Sequence, residues 1–409
     1  RVDANVLASH LKGSAEAIYE VQTSPAHYYQ RPDNDHVDLD PDATTLNGYA
    51  ASVRVRRTSN NSSLRCEMNN AWRSAGFEIN DLGYMRRADE FNHSFWAGYQ
   101  SKKPVGMFRS CSLNVNEWLD WDGDGDFLAA RFNINSWNQF HNNYSFYVGL
   151  NRVLANTSNY ALRGGPASRW PGDWNGSFSV NSDHRRKLQV SGGSWQMRGD
   201  EDYANRSNYW FSMSYRPTNA IRVSFNPSLN YNDSEMQYIG TDAFGDEDRY
   251  LFGRIDQKTV SFTFRLDYCL TPNLTVQYYG SPFVSAGEYS EFKRITDPQA
   301  DSYGDRFLTY NGDEIAYDAG AEEYGIDEDR DGTNDYSISL PDFNYRAFNS
   351  NLVVRWEYQP GSLLYLVWSQ SRTGSLSTGD FDLQRDLDSL FEVHPHNVFL
   401  IKLNKWFSL

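Results

Sequence analysis

The sequence of 409 residues has little cysteine, no long apolar run and few of the residue runs that build helical bundles. Its three cysteines, Cys66, Cys111 and Cys269, are widely spaced and show no metal-ligand spacing, so neither a disulfide framework nor a zinc site is indicated. No apolar run reaches the roughly 18 residues that a transmembrane helix needs, and no signal peptide is recognisable at Arg1. Runs of Ala, Leu, Glu and Lys are also missing, so we expect helix to be a minority.

Clustered basic charge is missing too. With 53 acidic against 38 basic residues the net charge is −15, which excludes a nucleic-acid groove, because phosphate binding depends on clustered Lys and Arg. Much of the acid lies between residues 296 and 345, so we expect one loop to carry the imbalance. The mean hydropathy of −0.69 does not exclude a membrane protein, because the strands of a membrane barrel carry a weaker apolar signal than membrane helices.

What the chain does contain is a period-two alternation of apolar and polar residues, in segments of about ten residues. Between 221 and 231, Ile221, Val223 and Phe225 share one face, whereas Arg222 and Ser224 share the other. The same alternation marks residues 49–57, 127–135, 209–216, 259–270 and 351–370. Aromatic residues make up 15% of the chain and crowd the apolar face near strand ends, which is typical of membrane-interface girdles. The positions are Tyr49, Trp72, Tyr99, Tyr144, Tyr231, Tyr268, Trp356, Tyr358 and Trp368.

Tight and long connections alternate between these segments. The tight ones are rich in Gly, Pro, Asn or Asp and fall at 58–63, 102–106, 141–144, 183–187, 216–220, 270–273 and 359–362. The long ones fall at 11–44, 76–88, 157–172, 199–206, 240–248, 284–344 and 374–395.

This rhythm predicts one all-β domain over residues 1–409. We expect a transmembrane antiparallel up-and-down β-barrel of about sixteen strands, with short periplasmic turns and long extracellular loops, the longest being the acidic loop 284–344. If residues 15–22 and a partner strand also cross the membrane, the number of strands becomes about eighteen. The soluble alternative is a β-sandwich or propeller, in which a second sheet would bury the apolar face.

In the barrel interpretation the polar face lines a lumen, and its charges form a lattice. These residues are Arg54, Arg56, Arg65, Glu67, Arg131, Arg222, Arg265, Asp267, Arg355 and Glu357. Three basic-acidic pairs stand two residues apart on one face: Arg65 with Glu67, Arg265 with Asp267 and Arg355 with Glu357. Such pairs either stabilise the wall or set ion selectivity and hold a plug.

Several segments carry a family resemblance. Residues 249–293, beginning RYLFGRIDQKTVSF, residues 329–370, beginning DRDGTNDYSISLPDF, and residues 396–407 resemble the C-terminal barrel of a family of Gram-negative outer-membrane proteins. GFEINDLGYMRRADEF (76–91) is similar to an earlier segment of that family. The family is described as a domain of unknown function that commonly follows a family-9-like carbohydrate-binding module. The resemblance implies an outer-membrane location in contact with lipid, and we expect no such module in this chain, which begins inside the barrel.

The most distinctive local motif is DEDRDGTND in the longest predicted loop. Asp327, Asp329, Asp331 and Asp335 follow the spacing of calcium-loop ligands, and Gly332 permits a sharp turn. The glutamate of a complete EF-hand is missing, so a Ca²⁺ site and a solvated acidic loop both fit. The second acidic run, 120–126, is expected to be a hairpin turn.

Three functions follow from these features. The first is a monomeric outer-membrane porin or transporter with a polar, charged lumen. The second is a membrane anchor or scaffold whose long loops bind a polysaccharide, a surface protein or another outer-membrane component. The third is a rim hydrolase using His394 or His396, although no sequence-local catalytic motif indicates an enzyme.

Overall fold

A computed structural model describes residues 1–57 and 63–407. These residues form twenty-one strands and two α-helices. The strands are β1 (Val2–Lys12), β2 (Thr45–Arg56), β3 (Leu64–Arg73), β4 (Glu90–Gln100), β5 (Phe108–Asp122), β6 (Phe127–Phe140), β7 (Ser145–Ser158), β8 (Ser168–Arg169), β9 (Asp173–Asn181), β10 (Leu188–Gly199), β11 (Ala204–Thr218), β12 (Ile221–Phe244), β13 (Glu247–Thr271), β14 (Leu274–Ile295), β15 (Phe307–Thr309), β16 (Ile315–Asp318), β17 (Glu323–Ile326), β18 (Tyr336–Ser339), β19 (Phe343–Gln359), β20 (Ser362–Leu376) and β21 (His396–Asn404). The helices are α1 (Ala15–Thr23) and α2 (Leu383–Glu392).

Sixteen of the strands form one antiparallel meander in which each strand pairs with the next. The order is β1 to β7, then β9 to β14, then β19 to β21. The very short β8 and β15 add to β7 and β14, and β16 to β18 form a separate three-stranded sheet. The prediction of an all-β antiparallel fold is therefore confirmed, and the meander has the sixteen strands expected. The predicted tight turn at 58–63 lies almost wholly outside the described residues.

The meander has two free edges, β1 and β21. Within residues 1–57 and 63–407 no pairing joins them. Their outward side chains are correspondingly open, with Val6 80% and Ile401 74% exposed, against 44% for Val53 and 41% for Leu366 within the sheet. The predicted closure is thus not formed here, because a barrel closes only where tilt and stagger bring both edge strands into register.

The two faces of the sheet differ in chemistry as the alternation predicts. Following the register from β2 to β20 places most polar residues of the strands on one face, the inner face, and most apolar residues on the other, the outer face. Phe225, Phe262 and Leu352 lie on the outer face and remain partly exposed. The five buried hydrophobic clusters of the described chain all lie near the long-loop end instead. Among residues 1–57 and 63–407 no second layer covers this face, as a sandwich would require.

Residues 15–22 form a helix and not a strand, so the alternative of two further strands is wrong. The Ser14 side chain accepts a hydrogen bond from the N–H of Ala17 and caps α1. Ile18 is 1% exposed and packs with Tyr29 and Leu46. The capping hydrogen bond and the packing against β2 therefore stabilise a helix in this segment. No described helix is long and apolar enough to cross a membrane.

Strands β12, β13 and β14 are 24, 25 and 22 residues long and project beyond their neighbours at the long-loop end. The long connection expected at 240–248 is wrong, because β12 and β13 continue to a two-residue turn at which Gly245 adopts a φ of 64°. The loop expected at 284–344 is likewise shorter. Residues 284–295 continue β14 in pairing with β13, and β19 already begins at Phe343.

Two small elements pack against the sheet near its long-loop end. The three-stranded sheet β16–β18, which we call the acidic subdomain together with its turns (residues 311–340), packs through Ile326 and Ile338 against Leu251 and Phe292 of the projecting strands. Helix α2 lies against β19, where Asn344 donates a 3.0 Å hydrogen bond to the buried Asp386 carboxylate. The loops at this end of the sheet are therefore folded structure.

Candidate functional site: the inner wall of the sheet

A ladder of asparagines crosses the inner face between β5 and β9. The amide of Asn116 donates to Asn133 over 2.7 Å, that of Asn133 to Asn151 over 2.7 Å, and that of Asn151 to Asn175 over 2.7 Å. Asn114 joins it by donating to Asn135 over 2.9 Å. Residues directly opposite on neighbouring strands share a face, so alternation together with register assembles this row. The ladder forms a fixed, uncharged and strongly hydrogen-bonding wall.

Aromatic rings flank the ladder on the same face. The inward-facing rings include Trp96, Trp118, Trp137, Tyr147, Trp195, Trp210 and Tyr279. Two of them bond directly to the ladder: the indole N–H of Trp96 donates to Asn114 over 3.1 Å, and that of Trp195 to Asn175 over 3.3 Å. The rings are only partly buried, and Trp137 is 39% exposed. They lie on the inner face of the sheet, and among these seven rings Trp195 alone packs against a buried hydrophobic cluster of the described residues.

Three of these rings occupy space that an inward-facing glycine leaves free. A Cβ on Gly98 would lie 2.5 Å from the Trp96 ring, and one on Gly193 would lie 2.8 Å from the Trp210 ring. A Cβ on Gly149 would lie 2.6 Å from the Tyr147 hydroxyl oxygen. Each ring therefore lies over a glycine, along the wall.

Above the ladder, towards the long-loop end, charged residues replace amides. Asp120 pairs with Arg131 and accepts a 2.8 Å hydrogen bond from Asn92. Arg73 donates to Glu90 over 2.8 Å and to Asn92 over 2.6 Å. One hydrogen-bonded network thus connects β3, β4, β5 and β6.

This network reaches the loops through Arg87. Its guanidinium lies 3.5 Å from Glu90 and 3.2 Å from the ring centre of Tyr160, which belongs to the β7–β9 connection. A cavity of about 680 Å³ opens here, lined by four arginines, Arg73, Arg86, Arg87 and Arg131, against Glu90 and Asp120. A chain of net charge −15 thus presents a locally positive vestibule.

A second cavity, of about 380 Å³, lies against the ladder itself. Trp118, Asn151 and Asn175 line it together with Arg131, which also lines the first cavity. Both volumes fall in the range of small-molecule sites, about 300–1,000 Å³. Arg131 marks the transition from the positive vestibule to the neutral wall.

The long connections meet one another over this wall. Asp33, in the β1–β2 connection, accepts a 2.6 Å hydrogen bond from the N–H of Ala167 in the β7–β9 connection. Leu162, in that same connection, is 1% exposed and packs against Met236 of β12 and Phe252 of β13. These contacts bridge connections and strands that are not neighbours in the meander.

The predicted charge lattice is only partly paired as expected. Arg355 lies 3.6 Å from Glu357, as the spacing predicts. Glu67 pairs with Arg54 of the adjacent strand at 3.4 Å and not with Arg65. The remaining contacts are Arg56 with Asp3 at 3.0 Å, Arg222 with Ser214 at 3.2 Å, Asp267 with Gln277 at 3.0 Å, and Arg265 over the Tyr279 ring at 5.0 Å. Cross-strand neighbours compete with i, i+2 neighbours, and the register decides between them.

Three of the four predicted calcium ligands come together. Ligand oxygens of Asp327, Asp329 and Asp335 all lie within 4.8 Å of one another. The Asp331 carboxylate instead accepts a 2.9 Å hydrogen bond from the N–H of Thr333 and holds the turn, in which Gly332 has a φ of 93°. Asp331 is therefore placed as a turn residue.

The electrostatics of this cluster suit a cation. Partial desolvation and the charges of Asp331, Asp335 and Asp327 raise the pKa of the Asp329 carboxyl. Crowded carboxylates at this spacing match the hard oxygen ligands of Ca²⁺.

The second acidic run, residues 120–126, differs from this cluster, since Asp120 and Asp122 end β5 and residues 123–126 form the predicted turn.

The histidines proposed for a rim hydrolase are exposed. His394 follows α2, and His396 opens β21 opposite Ser371. The described contacts give neither one a hydrogen bond to a serine or an acidic side chain.

The asparagine ladder and the inward rings were not predicted, because the prediction of inward residues considered charged side chains. Their signal is nevertheless present in the sequence, as polar and aromatic residues that alternate with the outward apolar ones.

Comparison with known proteins gives a family but no activity. No curated protein matches the chain. Among solved structures, one described as a bacterial polysaccharide outer membrane secretin aligns at 8% identity over 91% of this chain and 94% of its own, with a TM-score of 0.32. So low a TM-score does not define the fold of this chain. The family profile described as a domain of unknown function (DUF5916) matches residues 2–407, and the chain belongs to that family.

Proposed function

We propose that this chain is an outer-membrane β-barrel of porin or transporter type that admits small hydrophilic solutes to a polar lumen. The observation that best supports this proposal is the apolar outer face, over which the described residues place no second protein layer. The opposite face of the same sheet is lined by amides and arginines. In water each such side chain forgoes about 1.5–3 kcal/mol of burial energy. In hydrocarbon the same face is satisfied, and the polar wall then faces a water-filled bore.

The dimensions of the outer face support this placement. On β19, Trp356 and Phe348 lie on this face eight residues apart, since the strand pairs without a bulge between them. At about 3.3 Å per residue and a tilt of about 40°, they are separated by about 20 Å along the membrane normal. An outer-membrane belt is about 25 Å tall. Helix α2, whose Phe391 ring lies 5.2 Å from that of Phe348, then rests at the outer interface.

Closure of the sheet is part of the proposal. Lipid cannot satisfy the backbone groups of two free edges, so β1 and β21 pair directly in the bilayer. Single cysteines at Ala4, Val6 or Ala8 combined with one at Phe399, Ile401 or Leu403, in a background without native cysteines, should give one rapidly cross-linking register. A folded, lipid-reconstituted protein in which no combination cross-links would contradict closure.

Transport is tested in planar bilayers. Purified protein should give discrete conductance steps, and the arginine-lined vestibule should favour anions in the reversal potential. Replacing Arg87 and Arg131 by Gln should shift the reversal potential towards cations, whereas replacing the exposed Lys102 and Lys103 of a short turn should not. Folded protein without conductance would remove the transport part of the proposal.

A second candidate function, docking of an outside partner, is favoured by the folding of the acidic subdomain. Tyr336 of the subdomain and Tyr310, which precedes it, are both buried and share a 2.8 Å hydrogen bond. Replacing residues 311–340 by a short linker should abolish capture of an outer-membrane or polysaccharide partner while leaving the barrel heat-stable. Unchanged capture would exclude this docking role.

We also propose that the cluster of Asp327, Asp329 and Asp335 binds Ca²⁺. Calorimetry with CaCl₂ should show binding that Asp329→Asn weakens by about tenfold, because one of three converging carboxylates is lost. Asp313→Asn, at an exposed position of the same subdomain, serves as the control. No heat of binding at millimolar Ca²⁺ would leave the loop as a solvated acidic turn.

A further inference from the structure

We infer that the inner wall of β4–β11 binds neutral oligosaccharides, an inference that rests on the proposed lumen and names the solute it takes. The wall combines two chemistries in one place. Flat aromatic rings provide apolar faces, and fixed side-chain amides provide hydrogen-bond donors and acceptors. A pyranose ring presents the complementary pair, apolar C–H faces and a rim of hydroxyl groups.

The rings are placed to meet a solute. An aromatic side chain facing a water-filled bore leaves much of its apolar area unburied, so a purely structural wall is better built from polar residues. Here Trp118, Trp195 and Trp210 face the bore and remain partly exposed. Gly193 lets the Trp210 ring lie along the wall, since any Cβ there would lie within 2.8 Å of it. Rings in this orientation turn a face towards the lumen, where stacking occurs.

The amides favour hydroxyl groups over ions. A side-chain amide has two N–H donors and two acceptor lone pairs, and a hydroxyl group likewise both donates and accepts. The described hydrogen bonds of Asn116 use only its donation to Asn133, so its carbonyl oxygen and second N–H remain available. The ladder from Asn114 to Asn151 contains no ionised side chain. Charged side chains lie at the margin of the ladder, where Arg131 and Arg152 line the cavity together with Asn151 and Asn175.

The available space agrees with this class of ligand. The cavity of about 380 Å³ is lined by Trp118, Asn151 and Asn175, so one ligand there could contact the ring and the amides together. Tyr147 and Trp137 stand directly opposite each other on adjacent strands and extend the aromatic surface towards the short-turn end. A chain of sugar rings can therefore move from one aromatic contact to the next.

The test uses the full chain in detergent, with maltohexaose and cellohexaose as probes for the two linkage geometries. Calorimetry should show binding of at least one of them. Trp118→Ala and Trp195→Ala should each weaken it by about tenfold, equivalent to about 1.4 kcal/mol. The phenylalanine variants at both positions should retain most of the affinity. Trp174→Ala is the matched control, because Trp174 adjoins Asn175 on β9 but faces outwards and is 50% exposed.

The outcomes separate this inference from the proposed function. Conductance without binding of either sugar leaves the porin proposal intact and overturns the inference. Sugar binding without conductance supports the inference and removes transport. Binding of uridine but of neither sugar, or equal weakening in Trp174→Ala, would also overturn it, because the rings would then serve base stacking or overall stability.

Discussion

Glu328 is the residue on which the docking of the acidic subdomain most depends. Its side chain is 8% exposed and lies 3.0 Å from Arg249 and 3.1 Å from Arg294, both on the projecting strands. Burial by itself raises the pKa of Glu328, but hydrogen bonds from Arg249 and Tyr336 and the charge of Arg294 outweigh it and hold the pKa below its usual value of 4.5. The ionised form is therefore the one that stabilises the contact.

Glu328→Gln should loosen the subdomain by about 2–4 kcal/mol, because two partly buried arginines lose their counter-charge. In the wild type this stabilisation is fully present above the unfolded pKa near 4.5 and is lost as the pH falls through the lower folded pKa. Proteolysis of residues 296–342 measured against pH should show this loss in the wild type and not in the variant. Glu322→Gln, at an exposed residue, should behave as wild type.

Gly193 shows how a single missing side chain shapes the wall. A Cβ there would lie 2.6 Å from the Phe178 carbonyl oxygen and 2.8 Å from the Trp210 ring, whereas one on Gly192 would meet its nearest atom at 3.4 Å. Gly193→Ala should cost about 1–3 kcal/mol and rotate the ring, because the carbonyl cannot withdraw from its ladder. Thermal unfolding and near-ultraviolet dichroism will show both effects, and Gly192→Ala should show neither.

At the scale of elements, helix α2 is fixed by a carboxylate that the sequence gives no reason to bury. Asp386 is 0% exposed and accepts hydrogen bonds from Asn344 on β19 and from the N–H of Asp382 at the helix start. The Asp382 side chain caps the helix by accepting from the N–H of Arg385 over 3.0 Å. The cap of α2 and its contact with β19 therefore belong to one hydrogen-bonded network.

Asp386→Ala should release α2 from the outer face at a cost of about 3 kcal/mol, because the Asn344 amide, the Asp382 N–H and the Arg385 guanidinium lose this acceptor. Hydrogen exchange of residues 383–392 should rise while that of β19 changes little. Asp388→Ala, on the exposed side of the same helix, is the control. Equal protection in wild type and Asp386→Ala would show that apolar contacts alone hold the helix.

At the scale of the whole molecule, we expect the loops to set how open the proposed lumen is. The β7–β9 connection packs on β12 and β13 through Leu162, whose burial against Met236 and Phe252 anchors it. Leu162→Asp should detach it, because a charge has no partner in that cluster. Single-channel conductance should then increase, whereas Leu82→Asp, at a residue 96% exposed, should leave it unchanged. Unaltered conductance in both would place the constriction elsewhere.

Much of the fold can be predicted from the sequence, because it depends on residues that are neighbours in the chain. A strand alternates its side chains with a period of two, so the assignment of Phe225 and Ser224 to opposite faces needs no partner strand. The tight turns at 141–144 and 270–273 follow equally from local Asn and Pro residues. The error at 15–22 has the opposite origin, since the capping and packing of α1 outweigh a short apolar pattern. The candidate site was only partly legible, because Glu67 pairs with Arg54 through register and not through spacing.

The sequence by itself determined which residues face outwards and which inwards, because alternation is a property of neighbouring residues. Only the tertiary structure decided which inward residues meet, since that depends on strand register and loop packing between residues far apart in the chain. It assembled Asn116, Asn133, Asn151 and Asn175 into one row, paired the Asp331 carboxylate with the Thr333 N–H, and packed Leu162 against Met236 and Phe252. Long-range contacts of this kind leave no periodic trace in the sequence.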